Sequence, residues 1–251
     1  MNRLNFISFV FLSLLLLVLL SCEKLLTPEP AANEILDGPM EGLTPTQQHL
    51  FLQGDEAFGQ VFIPATGLGP CFVTTSCASC HAGDGKGHPS TTLTRFGKYA
   101  DGQFDYLFLL GGAQLQNRAI PGYVAETIPP EANGISRFTP PAVTGLGFLA
   151  AVSDQTLLDL ADPDDADGDG ISGRVNYLNA PGYFSPKNWH LPNEQGKYIG
   201  RFGKKAGAID LLQQTANAYQ QDMGITSDFN LEDPINYAIA GQPTDPIADP
   251  E

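Results

Sequence analysis

Two cysteines and a histidine are spaced so that they could hold one cofactor together. Cys77, Cys80 and His81 lie within the run Cys-Ala-Ser-Cys-His. Residues three and four apart share a face on a helical turn, so the two thiols and the imidazole would point to the same side. Two thioether bonds and one iron ligand could then meet a single macrocycle, and this spacing is typical of c-type haem attachment. The sequence therefore predicts one covalent haem c, with His81 as proximal iron ligand and a backbone carbonyl orienting its other ring nitrogen.

Other uses of the cysteine pair fit the sequence less well. A redox-active Cys-x-x-Cys pair is expected in a βαβ unit, and a zinc site needs four ligands. Neither a βαβ pattern nor a second paired cluster is evident. A disulfide between Cys77 and Cys80 would leave His81 without a role. We expect the remaining cysteine of this region, Cys71, to be a small buried apolar residue, with a reactive thiol as the alternative.

The ligand on the far side of the iron is a separate question. Met223 is the last residue of the clearest predicted helix, and a thioether ligand there would raise the reduction potential and suit electron transfer. A methionine on an apolar helix face is also a common core residue. A third alternative is an open or water-filled iron site. The other methionines and histidines considered are Met40, His49, His88 and His190.

An acidic, glycine-containing loop follows in the second half of the chain. Asp165, Asp167 and Asp169 alternate along it and are followed by Gly170. Alternate carboxylates on a tight turn can converge on a hard cation, as Ca²⁺ requires. A full EF-hand loop would carry a bidentate glutamate where Asn176 stands. The pattern predicts a Ca²⁺ site with the three aspartates as ligands, and a solvated acidic turn is the alternative.

The N-terminal segment has the pattern of an export signal. Arg3 is the only charged residue in 1–21, and the apolar run 9–20 is shorter than a membrane-spanning helix. The run ends in Leu-Leu-Ser-Cys, which resembles a bacterial lipobox and would make Cys22 the lipidated first residue. An uncleaved anchor is the alternative. We expect a lipid-anchored protein of the bacterial cell envelope, at the outer membrane, facing the periplasm or the cell surface.

Charge and composition limit the partners and the architecture. The net charge of −15 would repel nucleic acid and favour basic partners. The 27 glycines and 20 prolines exceed average usage, so long loops are expected. We divide the mature chain into a tether (22–43), a haem domain (44–240) and a loose acidic tail (241–251).

Three helices are predicted from caps and periodicity. Thr44 begins a capping box ahead of a helix over 45–58. Ser153 caps a short helix that runs through Leu160. The clearest helix runs over 206–223 and ends at Gly224.

The remaining segments are less regular. A further helix can start at 74–76, and the apolar segment 104–110 is either a short strand or a turn of helix. The five prolines in 117–147 argue against regular elements there. Together these features predict a mainly α, cytochrome c-like haem domain with long irregular loops.

Several motifs resemble one family. They are Gly69 to His81, Pro140 to Gly147, Ala161 to Arg174, Gly200 to Gly203 and Asp222 to Thr226. The chain resembles the N-terminal, first-haem half of the bacterial di-haem oxidoreductases, also called thiol oxidoreductases, which are related to di-haem cytochrome c peroxidases. The resemblance implies a mostly helical fold with two c-type haems. One haem would pass electrons and the other would face peroxide or substrate.

The sequence departs from this family at three points. It holds no second Cys-x-x-Cys-His, Ala150 stands where the resemblance leads us to expect a glutamate, and Lys204 stands where we expect an aromatic residue. An acid near the haem could handle peroxide protons, so its loss weakens the case for catalysis. We therefore expect a protein that transfers single electrons, working with a redox partner or a second-haem subunit. The alternative is a peroxidase-type enzyme that reduces peroxide or oxidises a donor.

Overall fold

The computed structural model describes residues 38–239. Cys22, the signal segment 1–21 and the tail 241–251 lie outside these residues, as does most of the tether. The described helices are α1 (Pro45–Gly59), α2 (Leu146–Ala151), α3 (Asp154–Asp159) and α4 (Leu211–Met223). The strands are β1 (Cys71–Phe72), β2 (Leu93–Ala100), β3 (Gln103–Asp105), β4 (Arg118–Ala119), β5 (Gly134–Phe138), β6 (Asn176–Leu178) and β7 (Tyr198–Gly200). None of the helices in this range is long and apolar enough to cross a membrane.

The fold is mixed α/β, so the prediction of a mainly α domain is wrong. The strands form three small antiparallel sheets in the orders β1-β4, β3-β2-β5 and β6-β7. The largest sheet contains a hairpin whose two turn residues, Asp101 and Gly102, have φ of 52° and 74°. Two positive φ values at an Asp-Gly pair are typical of a tight hairpin turn. Strand β5 lies inside the segment 117–147, where the prolines argued against regular structure, and it pairs with β2.

Helix α1 forms as its capping box predicts. The Thr44 hydroxyl accepts from the Gln47 N–H at 3.3 Å, and the Gln47 side chain accepts from the Thr44 N–H at 2.9 Å. No residue of α1 is buried, and Leu50 is 60% exposed. The end of the helix is fixed by its backbone, because the Phe58 carbonyl accepts from the Ala78 N–H at 3.2 Å. Helix α1 therefore ends beside the cysteine-histidine run.

Helix α4 starts later than predicted and ends as predicted. Ala206 has a φ of 47°, which no helical residue adopts, and the helix begins only after Asp210. The Asp210 carboxylate caps it by accepting from the Gln213 N–H at 2.8 Å. Gly224 ends it with a φ of 66°. The short helix α3 is capped by Ser153, whose hydroxyl accepts from the Thr156 N–H at 3.1 Å.

The end of α4 lies in the apolar core. Phe62, Leu68, Met223 and Ile225 form a buried cluster. Partly buried side chains pack against this cluster; they are Phe72, Cys77, Ile120 and Tyr219. The core thus brings the C-terminus of α4 next to the first cysteine of the run.

Candidate haem-attachment site

The cysteine-histidine run forms a single helical turn. The Cys77 carbonyl accepts from the Cys80 N–H at 3.1 Å and from the His81 N–H at 2.9 Å. The second of these bonds has the i to i+4 spacing of an α-helix. The backbone leaves the helical conformation at His81, with φ −115° and ψ 61°. The helix predicted to start at 74–76 is therefore limited to this single turn. Residues three and four apart on such a turn lie on the same side of it, as Cys77, Cys80 and His81 do.

Hydroxyl groups brace this turn from within. The Ser76 hydroxyl accepts from the Ser79 N–H at 3.1 Å, and the Ser79 hydroxyl donates to the Ser76 carbonyl at 2.7 Å. The hydroxyls of Thr74 and Ser79 are also hydrogen-bonded to each other. Thr74 and Ser76 are buried. These bonds hold the turn through the chain's own side chains.

The His81 ring is oriented for metal binding through one nitrogen. Its Nδ1 lies 3.3 Å from the Gly85 carbonyl and donates to it in the tautomer that leaves the Nε2 lone pair free. The Phe58 ring lies against the imidazole, with 6.2 Å between the ring centroids. The following loop is held close to the turn, since the Gly87 N–H donates to the Pro140 carbonyl at 3.0 Å and a Cβ on Gly87 would lie 2.9 Å from the Cys80 carbonyl.

The two cysteines are free, half-buried thiols. Burial raises the pKa of Cys77, and the nearby negative charge of Asp222 adds to the increase. Burial also raises the pKa of Cys80, and a hydrogen bond from the Thr74 side chain partly offsets this increase. Two neutral thiols and an imidazole with a free Nε2 on one turn are the donor set that a covalently attached haem requires. The residues therefore fit this cofactor.

Met223 is in the position of a core residue. Its side chain is 1% exposed and packs with Phe62 and Leu68 in the cluster that Cys77 also contacts. Its role as the second iron ligand stays a prediction. Met40, His49 and His88 are exposed. His190 is half-buried, and burial lowers the pKa of its imidazole.

The acidic loop brings together a slightly different set of aspartates from the predicted one. Carboxylate oxygens of Asp162, Asp165 and Asp167 lie within 4.8 Å of one another. The Asp169 carboxylate accepts from the Ile171 N–H at 2.8 Å and is not in this group. Asp162 therefore takes the place that the sequence assigned to Asp169. Calcium binding by this loop stays a prediction.

Glu126 was not identified from the sequence. Its side chain is 6% exposed; Oε2 accepts from the Gln116 N–H at 2.6 Å, and Oε1 has no hydrogen-bond partner among the described residues. Burial raises the pKa of Glu126 to about 8. Such a shift is common at functional sites. No sequence signal marks it, because a lone acid in a proline-rich segment is ordinarily a surface residue.

A second buried carboxyl lies beside the attachment turn. The Asp222 carbonyl accepts from the Val73 N–H at 2.7 Å and from the Thr74 N–H at 3.0 Å. The Gln114 side chain donates to its carboxylate. Burial raises the pKa of Asp222, while the Gln114 hydrogen bond and the charges of His81 and Arg95 act in the opposite direction. Asp222 thus connects α4 with the segment that leads into the cysteine run.

Comparison with known proteins supports the family resemblance. Residues 134–244 match the family model described as "Di-haem oxidoreductase, putative peroxidase". All the quoted motifs except Gly69 to His81 fall inside this stretch. The match covers less than half of the chain and is consistent with the family that the motifs suggested. Searches of curated proteins and of solved structures gave no match.

Proposed function

We propose that this chain is a c-type haem oxidoreductase of the di-haem peroxidase type, which reduces peroxide or oxidises an electron donor. The observation that carries the proposal is the turn that presents two free thiols and an imidazole with a free Nε2. The family match over 134–244 supports the reaction class. When bound, the haem supplies one-electron chemistry at its iron.

The chain's own residues would hold the haem, orient its iron ligand and keep water away from one side of the site. Cys77 and Cys80 would bind the macrocycle covalently, and His81 would bind the iron. The Gly85 carbonyl fixes the orientation of the His81 ring. The core cluster around Phe62 provides an apolar wall next to Cys77, which excludes water on that side.

Glu126 is buried beside Gln116, and its raised pKa would let it exchange protons near neutral pH. Reduction of a peroxide consumes protons together with electrons, and an acid works best when its pKa lies near the working pH. The pKa of Glu126, raised to about 8 by burial, meets this condition. Ala150, at the position where the resemblance led us to expect a glutamate, cannot take this role. Glu126 is therefore our candidate for the proton donor.

Peroxide turnover tests the proposal. The full chain, produced with a haem-attachment system, is assayed for peroxide-dependent oxidation of a one-electron dye. We expect activity in the wild type, loss of activity in His81→Ala, and retention in the matched control His88→Ala, which changes an exposed histidine in the same region. A haem-loaded wild type that neither oxidises the dye nor changes its spectrum with peroxide would contradict the proposed peroxidase activity.

The second candidate function is a single-electron carrier. The observation that favours it is the single Cys-x-x-Cys-His in the sequence. A partner protein or a second-haem subunit would complete the electron path. A carrier with Met223 on the iron would show a six-coordinate, low-spin spectrum that peroxide does not change. Met223→Leu would then convert it to a high-spin spectrum. An open peroxidase site gives the high-spin ferric spectrum already in the wild type.

The location at the cell envelope is part of the proposal. The lipobox-like sequence before Cys22 supports export and lipid anchoring. Metabolic labelling with a fatty acid should mark the wild-type chain, and Cys22→Ser should abolish the label. Equal labelling of both chains would contradict a lipid at this residue.

A further inference from the structure

The geometry points to Gln114 and Gln116 as positioning residues of the haem site: they hold the end of α4, which in turn holds the segment that leads into the attachment turn. This inference rests on the haem attachment proposed above. Both side chains are buried, with 7% and 2% exposure. A buried amide must find hydrogen-bond partners, so the partners of these two groups reveal their role.

The two glutamines donate to the open end of one helix. The Gln114 amide donates to the Gln221 carbonyl at 3.0 Å and to the Asp222 carboxylate. The Gln116 amide donates to the Gln220 carbonyl at 2.9 Å and to the Gln221 carbonyl at 3.2 Å. Carbonyls in the last turn of a helix often lack partners within the helix. The Gln220 carbonyl also accepts from the Gly224 N–H at 3.1 Å, so Gln116 supplies a second hydrogen bond there. The segment 114–116 therefore completes the C-terminus of α4 from outside.

The same helix end fixes the segment that leads to the cysteines. The carbonyl of Met223 accepts from the Gly69 N–H at 3.0 Å, and that of Asp222 accepts from Val73 and Thr74. The backbones approach so closely that a Cβ on Gly69 would lie 1.7 Å from the Gly224 carbonyl oxygen. The segment 69–74 has no room to move independently of α4.

From this segment the connection to the cofactor residues is short. Thr74 is hydrogen-bonded to Ser79 within the attachment turn. Cys77 packs against the cluster that contains Met223. A displacement of the α4 end would therefore move Cys77 and, through the turn, His81. Within the described part of the chain neither glutamine is hydrogen-bonded to Cys77, Cys80 or His81, so both would act through α4.

Methionine substitutions separate positioning from simple stability. Gln114→Met and Gln116→Met keep the approximate side-chain volume and remove the donors. The haem-loaded full chain is compared for melting temperature, midpoint potential and absorption spectrum. We expect all three to change in each variant, with a larger change in the double variant, because the haem site itself is displaced. Gln114→Asn keeps an amide on a shorter side chain and should change the melting temperature, midpoint potential and spectrum less than Gln114→Met does.

A control with a buried polar side chain elsewhere defines the null result. Asp154 is 1% exposed and pairs with Arg201, and its other hydrogen bonds are to the Trp189 carbonyl and the Leu191 N–H. Asp154→Asn should lower the melting temperature and leave the potential and spectrum unchanged. The inference is overturned if the glutamine variants behave in the same way. A haem-loaded wild type without peroxidase activity contradicts the proposed function and not this inference, whereas a wild type that attaches no haem overturns both.

Discussion

Replacing Glu126 with glutamine should remove a pH dependence of stability. The pKa of Glu126 is raised from 4.5 to about 8 by burial. Between these values the unfolded chain has released this proton and the folded chain retains it. The unfolded state therefore binds fewer protons, and the free energy of unfolding falls as the pH rises through this window. The contribution of Glu126 is complete below pH 4.5 and lost above about pH 8.

The size of the effect follows from the shift. Each pH unit inside the window changes the free energy of unfolding by about 1.4 kcal/mol. Between about pH 6 and about pH 8 the wild type should therefore lose about 2 kcal/mol relative to Glu126→Gln, because the slope decreases as the folded-state pKa is approached. Other titrating groups are common to both proteins and cancel in the difference. Working above about pH 6 keeps the acidic chain charged and soluble.

Urea unfolding at several pH values, followed by aromatic fluorescence, measures this difference. Glu131→Gln is the matched control, because Glu131 is an exposed glutamate in the same loop region. Its free energy of unfolding should run parallel to that of the wild type at every pH. A constant difference between wild type and Glu126→Gln across the range would refute a raised pKa at Glu126 and remove it as our candidate proton donor.

Three further predictions concern the turn, the backbone and the acidic loop. Gly69→Ala should lower the free energy of unfolding in urea by at least about 3 kcal/mol, because its Cβ would overlap the Gly224 carbonyl. The control Gly147→Ala in helix α2 has open space around its Cβ and should be neutral or stabilising by about 0.5 kcal/mol. Ser76→Ala removes the acceptor of the Ser79 N–H and should reduce the haem-to-protein ratio by absorbance; an unchanged ratio would contradict the bracing role. If the acidic loop binds Ca²⁺, saturating Ca²⁺ should raise the melting temperature of the wild type and not of Asp165→Asn.

The sequence was most informative where local chemistry alone decides the structure. The capping box at Thr44 predicted the start of α1, and Gly224 marked the end of α4. The start of α4 was misplaced because periodicity cannot detect that Ala206 adopts a positive φ. The turn at Asp101 and Gly102 is a hairpin signal that can be read from sequence. It was overlooked, and this contributed to the wrong fold class.

The candidate site was only partly predictable. The residues that could hold a haem are adjacent in sequence, so their spacing alone identified them. Glu126, Gln114 and Gln116 lie in loop sequence. Long-range packing buries the two glutamines against the end of α4, and Glu126 accepts from the Gln116 backbone. Burial of a polar side chain has no local signature, because it depends on partners more than a hundred residues away, as Gln220 is from Gln116.

The most direct test of the account is the intact mass of the mature chain after expression with a haem-attachment system. We expect a mass equal to the polypeptide, the lipid on Cys22 and one haem, and a mass lower by one haem in the double variant Cys77→Ser, Cys80→Ser. The unmodified polypeptide mass in the wild type, under conditions where a known c-type cytochrome is matured, would contradict haem attachment at this turn.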